Sequence, residues 1–361
     1  MWGKGLKIAV FFHMPGIFDS GWARKILDLL ESEHEVRAFT YGTMGRTALL
    51  DSGMEGEVEF VPGEPSEVLA KTSEEVDALV LPMYASSPLK SHAHCWHLVR
   101  ASGVKKPVVE VEARGGWVIP WTEGAEGLAR WMATNLGMKL KEPPSFGEVF
   151  WSSGGRNYRR LLGVEVGDHV LVNRMVVGRA VSEEVILVEE GGKLLEIRGV
   201  ELKPNIWKKL EGMGRIELKK IRLESTPSLR PFPPEPKVRE GPRGKGVVLI
   251  DHAGYHVYEL AREAEGAVVI GDDTSYVVGD ILFRLGKPVV GIVDGDRDGL
   301  LAKTHFARGS LLLTVEEDDR TGREIREKVF GGRWKTERGF SEVKEEILSL
   351  LSKRVLRLVE V

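Results

Sequence analysis

Carboxylates crowd at three places in the last third of the chain, each time directly after a short apolar run. Val289–Val293 is followed by Asp294-Gly295-Asp296-Arg297-Asp298-Gly299, Ile250 by Asp251-His252-Ala253-Gly254, and Ile270 by Gly271-Asp272-Asp273-Thr274-Ser275. Acids gathered at a strand end repel one another and are hard to desolvate unless a cation or hydrogen-bond donors compensate them. Side chains two apart on an extended segment share a face, so Asp294 and Asp296 can reach one hard cation. Mg²⁺ suits such a pair, because it takes one or two carboxylates and completes its shell with water and substrate phosphate. Arg297 would then meet the same phosphate. Asp251 would assist directly or through water, Asp272, Asp273 and Thr274 would contact the ligand, and His252 (with His256 one turn on) would serve as an acid/base group. The competing reading is that Asp and Gly punctuate turns here, with Asp272, Asp273 or Thr274 as a helix N-cap.

A second set of polar loops lies in the first third. Gly42-Thr43-Met44-Gly45-Arg46-Thr47 offers two glycines, two hydroxyls and an arginine between a strand and a helix. Glycines let a backbone approach an anion, and a helix N-terminus donates free amides to it. Gly42, Thr43, Gly45, Arg46 and Thr47 are therefore candidate contacts for a phosphate or nucleotide, with a plain turn and helix cap as the alternative. The segment matches neither G-x-x-x-x-G-K-[ST] nor G-x-G-x-x-G. Ser91-His92-Ala93-His94-Cys95-Trp96-His97 has zinc-type ligands at poor spacing, since on a helix only His94 and His97, or His92 and Cys95, share a face. Surface histidines at a helix start, with Cys95 as a small buried residue, fit that spacing better. Residues 201–245 hold twelve Lys and Arg against six Glu. Such a stretch would suit a phosphodiester backbone, or be simply a solvated charged face.

The elements that must position these groups follow from periodicity. Up to about residue 140, apolar runs (Lys7–Phe12, Glu35–Tyr41, Ala78–Pro82, Pro107–Val111) alternate with helical stretches, including Trp22 to Leu30, Ser66–Lys71 with Ser66 as N-cap, and Ala93–Ala101. That alternation predicts a parallel sheet of Rossmann-like type, whose ligands lie beyond the strands' carboxyl ends. Gly163–Leu223 is rich in β-branched residues, and Gly191-Gly192 reads as a hairpin turn between Val185–Glu190 and Lys193–Ile197. Six prolines in Thr226–Lys245 prevent regular structure and predict a stiff strap. Strands at Gly246–Ile250, Ala267–Ile270, Pro288–Val293 and Ser310–Val315 alternate with helices at Tyr255–Glu263 and Tyr276–Leu285. Thr321-Gly322-Arg323-Glu324 fits a capping box, Val343, Ile347, Leu350 and Leu351 mark an amphipathic helix, and Val355–Val361 closes as a strand. The expected fold class is α/β in three domains, 1–145 Rossmann-like, 146–226 a β-rich module and 246–361 a second α/β domain, with 227–245 as a proline-rich linker before the last.

Composition narrows the class of protein. The chain has 361 residues, 51 Lys+Arg against 54 Asp+Glu, and 42% hydrophobic residues, which suits two or three domains with real cores and excludes a uniformly basic coat. No run approaches the roughly 18 apolar residues of a membrane span. Met1-Trp2-Gly3-Lys4-Gly5-Leu6 lacks the apolar core of a signal peptide. With Cys95 the single cysteine, a cytoplasmic protein without internal disulfides is expected. The absence of Gln and the presence of only four Asn, beside abundant Glu, Lys and Arg, point to a thermophile.

The succession strand, acidic turn, helix, strand, helix, strand, DGDRDG over Gly246–Val315 resembles the Toprim domain of primases and type I topoisomerases. The resemblance implies a Toprim-like C-terminal domain, with Asp294 and Asp296 as the metal pair and Asp251 as the first-strand acid, where that family normally has Glu. Across most of its length the chain also resembles a family of archaeal proteins of unknown function, through the segments DSGWARKI, GTMGRTALLD, GDDTSYVVGDIL and GIVDGDRDGL. That resemblance implies an archaeal source and supplies no activity. The expected function is Mg²⁺-dependent chemistry on a phosphorylated small molecule or nucleotide, with nucleic acid admissible through residues 201–245 and no membrane partner. The alternative is a regulatory protein that binds a nucleotide or phosphate ligand without turnover.

Overall fold

The computed structural model describes residues 4–226, 230, 234–239, 244–251, 254–295 and 304–361. They form two compact units, Met1–Pro233 and Pro234–Val361.

The first unit is built on seven strands: β1 (Lys7–Phe12), β2 (Glu35–Thr40), β3 (Val58–Phe60), β4 (Ala78–Met83), β5 (Val108–Glu112), β6 (Trp117–Pro120) and β7 (Lys139–Leu140). Their order is β3-β2-β1-β4-β5-β6-β7. The first five are parallel and β6 runs antiparallel to β5. The connecting helices are α1 (Gly16–Asp19), α2 (Trp22–Glu31), α3 (Thr43–Ser52), α4 (Pro65–Ser73), α5 (Pro88–Ser102) and α6 (Glu126–Leu136). The run Lys7–Phe12 is continuously apolar because both of its faces are covered. Ile8, Val10 and Phe12 pack with residues of α1, α2, α3 and α6, and Ala9 and Phe11 with residues of α4 and α5. Order reverses between β1 and β4, the doubly wound arrangement whose ligand crevice opens at that reversal.

Two antiparallel four-stranded sheets follow within the same unit. One holds β8 (Phe150–Ser153), β9 (Arg156–Leu161), β12 (Val185–Glu190) and β13 (Lys193–Arg198); the other holds β10 (His169–Val172), β11 (Met175–Ala180), β14 (Val200–Leu202) and β15 (Leu223–Thr226). Leu161, Val170, Val177, Leu187 and Ile197 share one core with Ile206 and Leu210 of α7 (Ile206–Glu211). Gly191 and Gly192, both at positive φ, make the expected hairpin turn between β12 and β13. Polar pairs fasten this module to the parallel sheet: Lys90 to Asp168, and Arg174 and Arg222 to Glu64. Arg230 clamps Asp19 and Asp51, all three side chains nearly sealed.

The second unit is a six-stranded sheet. Four parallel strands, β16 (Val247–Asp251), β17 (Gly266–Ile270), β18 (Val289–Val293) and β19 (Leu311–Thr314), stand side by side. Short antiparallel strands flank them, β20 (Lys335–Thr336) beside β16 and β21 (Arg357–Glu360) beside β19. Its helices are α8 (Val257–Ala261), α9 (Asp272–Arg284), α10 (Asp318–Lys328) and α11 (Phe340–Leu351). Val343, Ile347 and Leu351 of α11 and Ile325 of α10 pack on Leu249, Ile270 and Ile292. α9 lies on the opposite face, where a Cβ on Gly291 would stand 3.1 Å from Ser275 Cβ.

Several helix starts differ from expectation. Ser66 is not a cap: α4 begins at Pro65, whose missing N–H costs nothing at a first helical position. α5 begins five residues earlier than expected, with Ser87 as its N-cap. α9 begins at Asp272 with Gly271 as N-cap, so Asp272, Asp273 and Thr274 form its first turn. α10 begins at Asp318, and Thr321 sits inside it donating its hydroxyl to the Glu317 carbonyl at 2.8 Å rather than opening a capping box. Tyr255–Glu263 divides into a 3₁₀ turn over Gly254–His256 and the five-residue α8.

Candidate functional site

Because β16 to β19 are parallel, the residues after them gather along one edge of the sheet. Register places Asp251 opposite Ile270, Ile270 opposite Ile292, and Val293 opposite Thr314. Asp294 follows β18 directly, Asp272 follows β17 by two residues, and Asp318 follows β19 by four. One carboxylate oxygen of each lies within 4.8 Å of the others. Asp272 and Asp318 are half-buried and Asp294 is exposed.

Asp272 is pinned. Its Oδ1 accepts the backbone N–H of Asp294 at 2.8 Å and of Gly295 at 3.3 Å. One helical turn on, the Tyr276 hydroxyl donates to the Gly295 carbonyl at 3.3 Å, which fixes the same turn. Burial pushes the Asp272 carboxyl up to about 7; the Asp294 charge adds to the rise, and the two amide hydrogen bonds oppose it. Acids in a first helical turn are favoured by the helix dipole, which accounts for Asp272 and Asp318 singly. It does not account for their meeting Asp294. Hard oxygen ligands at this separation are the donor set of a divalent cation such as Mg²⁺.

Of the other residues expected at this edge, Asp251 ends β16 half-buried and is not among the three converging acids. Asp273 and Thr274 are half-buried in the first turn of α9. His252, Asp296 and Arg297 lie outside the described residues. The acid that sequence reasoning missed is Asp318. Its signal was present, since Glu316-Glu317-Asp318-Asp319 follows the fourth strand as directly as the other clusters follow theirs. Assigning the helix start to Thr321 hid it.

The corresponding edge of the first unit is also polar, but its carboxylates are matched. Glu110 and Glu112, on one face of β5, are fully buried. Glu110 Oε1 meets His92 Nδ1 at 2.7 Å, and its Oε2 accepts Trp121 Nε1–H at 2.7 Å. Glu112 accepts the Ser91 hydroxyl at 3.2 Å and the Gly115 amide at 2.5 Å; burial still pushes its carboxyl up. His92 is thus buried and paired, not a surface histidine. His13 stacks on both Tyr41 and His94, with centroids 4.4 and 4.2 Å away, and the Tyr41 hydroxyl stands 3.2 Å from His94 Nε2. Burial, with Arg222 adding, lowers His13 to about 4, and burial pushes the Cys95 thiol up. In the Gly42–Thr47 segment, Arg46 lies over the Phe60 ring at 4.6 Å and the Thr47 hydroxyl donates to the Thr43 carbonyl at 2.9 Å. Among the described residues, no helix is long and apolar enough to cross a membrane.

Comparison with known proteins agrees with the archaeal resemblance. Residues 10–333 match the family described as uncharacterized proteins conserved in archaea, DUF2117. The uncharacterized protein MJ0065 of Methanocaldococcus jannaschii is 35% identical over 331 residues, covering 88% of this chain and 90% of that protein. The chain belongs to this archaeal family.

Proposed function

We propose that the second unit binds a divalent cation of the Mg²⁺ type through Asp272, Asp294 and Asp318 and acts on a phosphorylated substrate. The observation that carries this reading is the convergence of three carboxylates from the ends of three adjacent parallel strands. Both amide hydrogen bonds to Asp272 go to Oδ1, and its carboxyl also meets that of Asp294, so a cation would be shared by the two. The raised Asp272 carboxyl fits a site whose charge is incompletely compensated until a cation enters. A bound Mg²⁺ would supply neutralisation of phosphate charge and polarisation of a phosphoryl oxygen or water. A small phosphorylated molecule is favoured over nucleic acid, because Lys220, Arg222 and Arg230 of the basic stretch are engaged by Glu217, by Glu64 and Glu224, and by Asp19 and Asp51. The single cysteine suits a reducing, cytoplasmic setting.

Isothermal titration of the full chain with Mg²⁺ and with Mn²⁺ tests the site. One ion should bind, and Asp294→Asn and Asp318→Asn should each weaken it by roughly tenfold or more. Equal affinity in both variants sinks the proposal. Phosphate uptake at this site should require the metal. Metal binding without turnover of any phosphate ester would favour the purely regulatory alternative.

A further inference from the structure

We infer that the ring cluster of His13, Tyr41 and His94 is an acid-sensitive latch, which holds the β-rich module on the parallel sheet near neutral pH and releases it as an intact body when the imidazoles take up protons. It shares no residue with the carboxylate site and stands whether or not that site holds a metal.

The module can leave whole because its core is its own. Leu161, Val170, Leu187 and Ile206 pack together within it, whereas the strands and helices of the parallel sheet pack in two separate cores. The fastenings between the two are polar, Lys90 to Asp168 and Glu64 to Arg174 and Arg222. Separately cored bodies joined by polar contacts are the ones that part first.

Charge on the rings would act on that joint. His13 follows β1, Tyr41 follows β2 and His94 lies on α5. The His13 ring lies at 15° to Tyr41 and 10° to His94, with centroids 4.4 and 4.2 Å away. His13 Nδ1 is buried with no hydrogen-bond partner, and His94 Nε2 meets the Tyr41 hydroxyl at 3.2 Å. The charged groups that face the two imidazoles are cations or become so in acid: Arg222, directly before β15, faces both, and His97 faces His94. His97 in turn faces Arg159 of β9, Glu224 of β15 and Arg222. The Cys95 thiol beside Tyr41 is pushed up by burial and stays neutral. Two imidazoles in contact resist carrying charge together, and a proton on either opposes Arg222. Arg222 is also the module's grip on Glu64, at 2.5 and 2.7 Å, so the repulsion falls on the fastening itself.

Both imidazole rings are half-buried, which lets water carry protons to them. Burial, with Arg222 adding, holds His13 at about 4, and burial with the neighbouring histidines and Arg222 holds His94 well below the ordinary 6.5. Released, the rings regain the ordinary value, so the docked state binds fewer protons. Its advantage is full above pH 6.5, declines as pH falls below that value, and levels off near pH 4 for His13.

The experiment is small-angle scattering, far-UV circular dichroism and imidazole C2–H NMR of the full chain from pH 8 to 3.5. The radius of gyration should rise below about pH 5 while the dichroism holds, and the His13 and His94 resonances should titrate together with the expansion. His13→Phe and His94→Phe keep a ring at each place and leave Glu64 and Glu224 untouched. Each should move the midpoint down by roughly half to one pH unit, while His305→Asn in the second unit should not move it. Should either variant lose its fold, the wild-type NMR titration decides alone, and rings that titrate near 6.5 without expansion overturn the inference. A radius of gyration constant to pH 3.5, dichroism lost in step with expansion, or an unmoved midpoint in both variants overturns it too.

Discussion

Two sheet edges in this protein carry acids, and they treat them in opposite ways. In the first unit, Glu110 and Glu112 are sealed from solvent, yet each oxygen has a donor: His92, Trp121, Ser91 or Gly115. In the second, Asp272, Asp294 and Asp318 are less buried but turn their carboxylates toward one another. Burial alone therefore does not mark a site. A matched carboxylate is part of the fold, whereas converging carboxylates hold repulsion that a ligand can relieve. Removing the first kind should destabilise the protein, and removing the second kind should not.

The largest effect is expected on the matched side. Glu110→Ala strands the buried His92 and the half-buried Trp121 donor and should cost about 3–5 kcal/mol in chemical denaturation. A loss below about 1 kcal/mol would erase the contrast. Arg230→Met should come close to it. That guanidinium serves two carboxylates whose side chains are only 6% and 4% exposed, and its removal leaves buried negative charge, at about 3 kcal/mol. Lys287→Met is a milder case of the same kind. The ammonium donates to the carbonyls of Ala261, Arg262 and Ala264 at 2.7, 3.0 and 2.7 Å, although burial lowers its affinity for the proton. A loss of about 2 kcal/mol is expected.

The same contrast explains what could be read from sequence. Apolar runs buried on both faces declare themselves, so β1, β2, β4 and β5 of the first unit and β16 to β19 of the second were legible, whereas the three-residue parallel strand β3, with Glu59 exposed at its centre, was not; Gly191-Gly192 fixed the hairpin. That acids would end adjacent parallel strands was legible too, because order along the chain became order across the sheet from β16 to β19. Which acids meet was not. It depends on where each helix starts, and a first turn rich in Asp competes with a nearby Thr-x-x-Glu pattern for that role, so Asp318 was passed over. The partners of Glu110 were hidden for a different reason. Thr-and-Ser caps are local, but His92 and Trp121 reach Glu110 from positions 18 and 11 residues away, and only the packing of α5 on β5 brings them together.

The smallest effect has the opposite sign and separates the two edges most sharply. Asp272 titrates near 7 in the folded protein against an ordinary value of 3.8. The folded state therefore holds this proton more tightly than the unfolded chain does. Below about pH 4 the group adds its full stabilisation; as pH rises toward 7 that stabilisation drains away, and above 7 it is gone. Asp272→Asn cannot lose a proton, so metal-free variant and wild type should match at low pH and diverge by about 1–2 kcal/mol at pH 8, the variant being more stable, after allowance for solvent screening at a half-buried site. Subtracting the two profiles cancels the acids elsewhere, such as Glu57 and Glu324, whose arginine partners hold them low and whose contribution falls as pH falls. Mg²⁺ should close the gap for wild type alone, because a cation replaces the proton and needs the carboxylate ionised. A variant less stable than wild type at pH 8 without metal would mean that Asp272 is a matched acid like Glu110, held by the amides of Asp294 and Gly295 for the fold's sake.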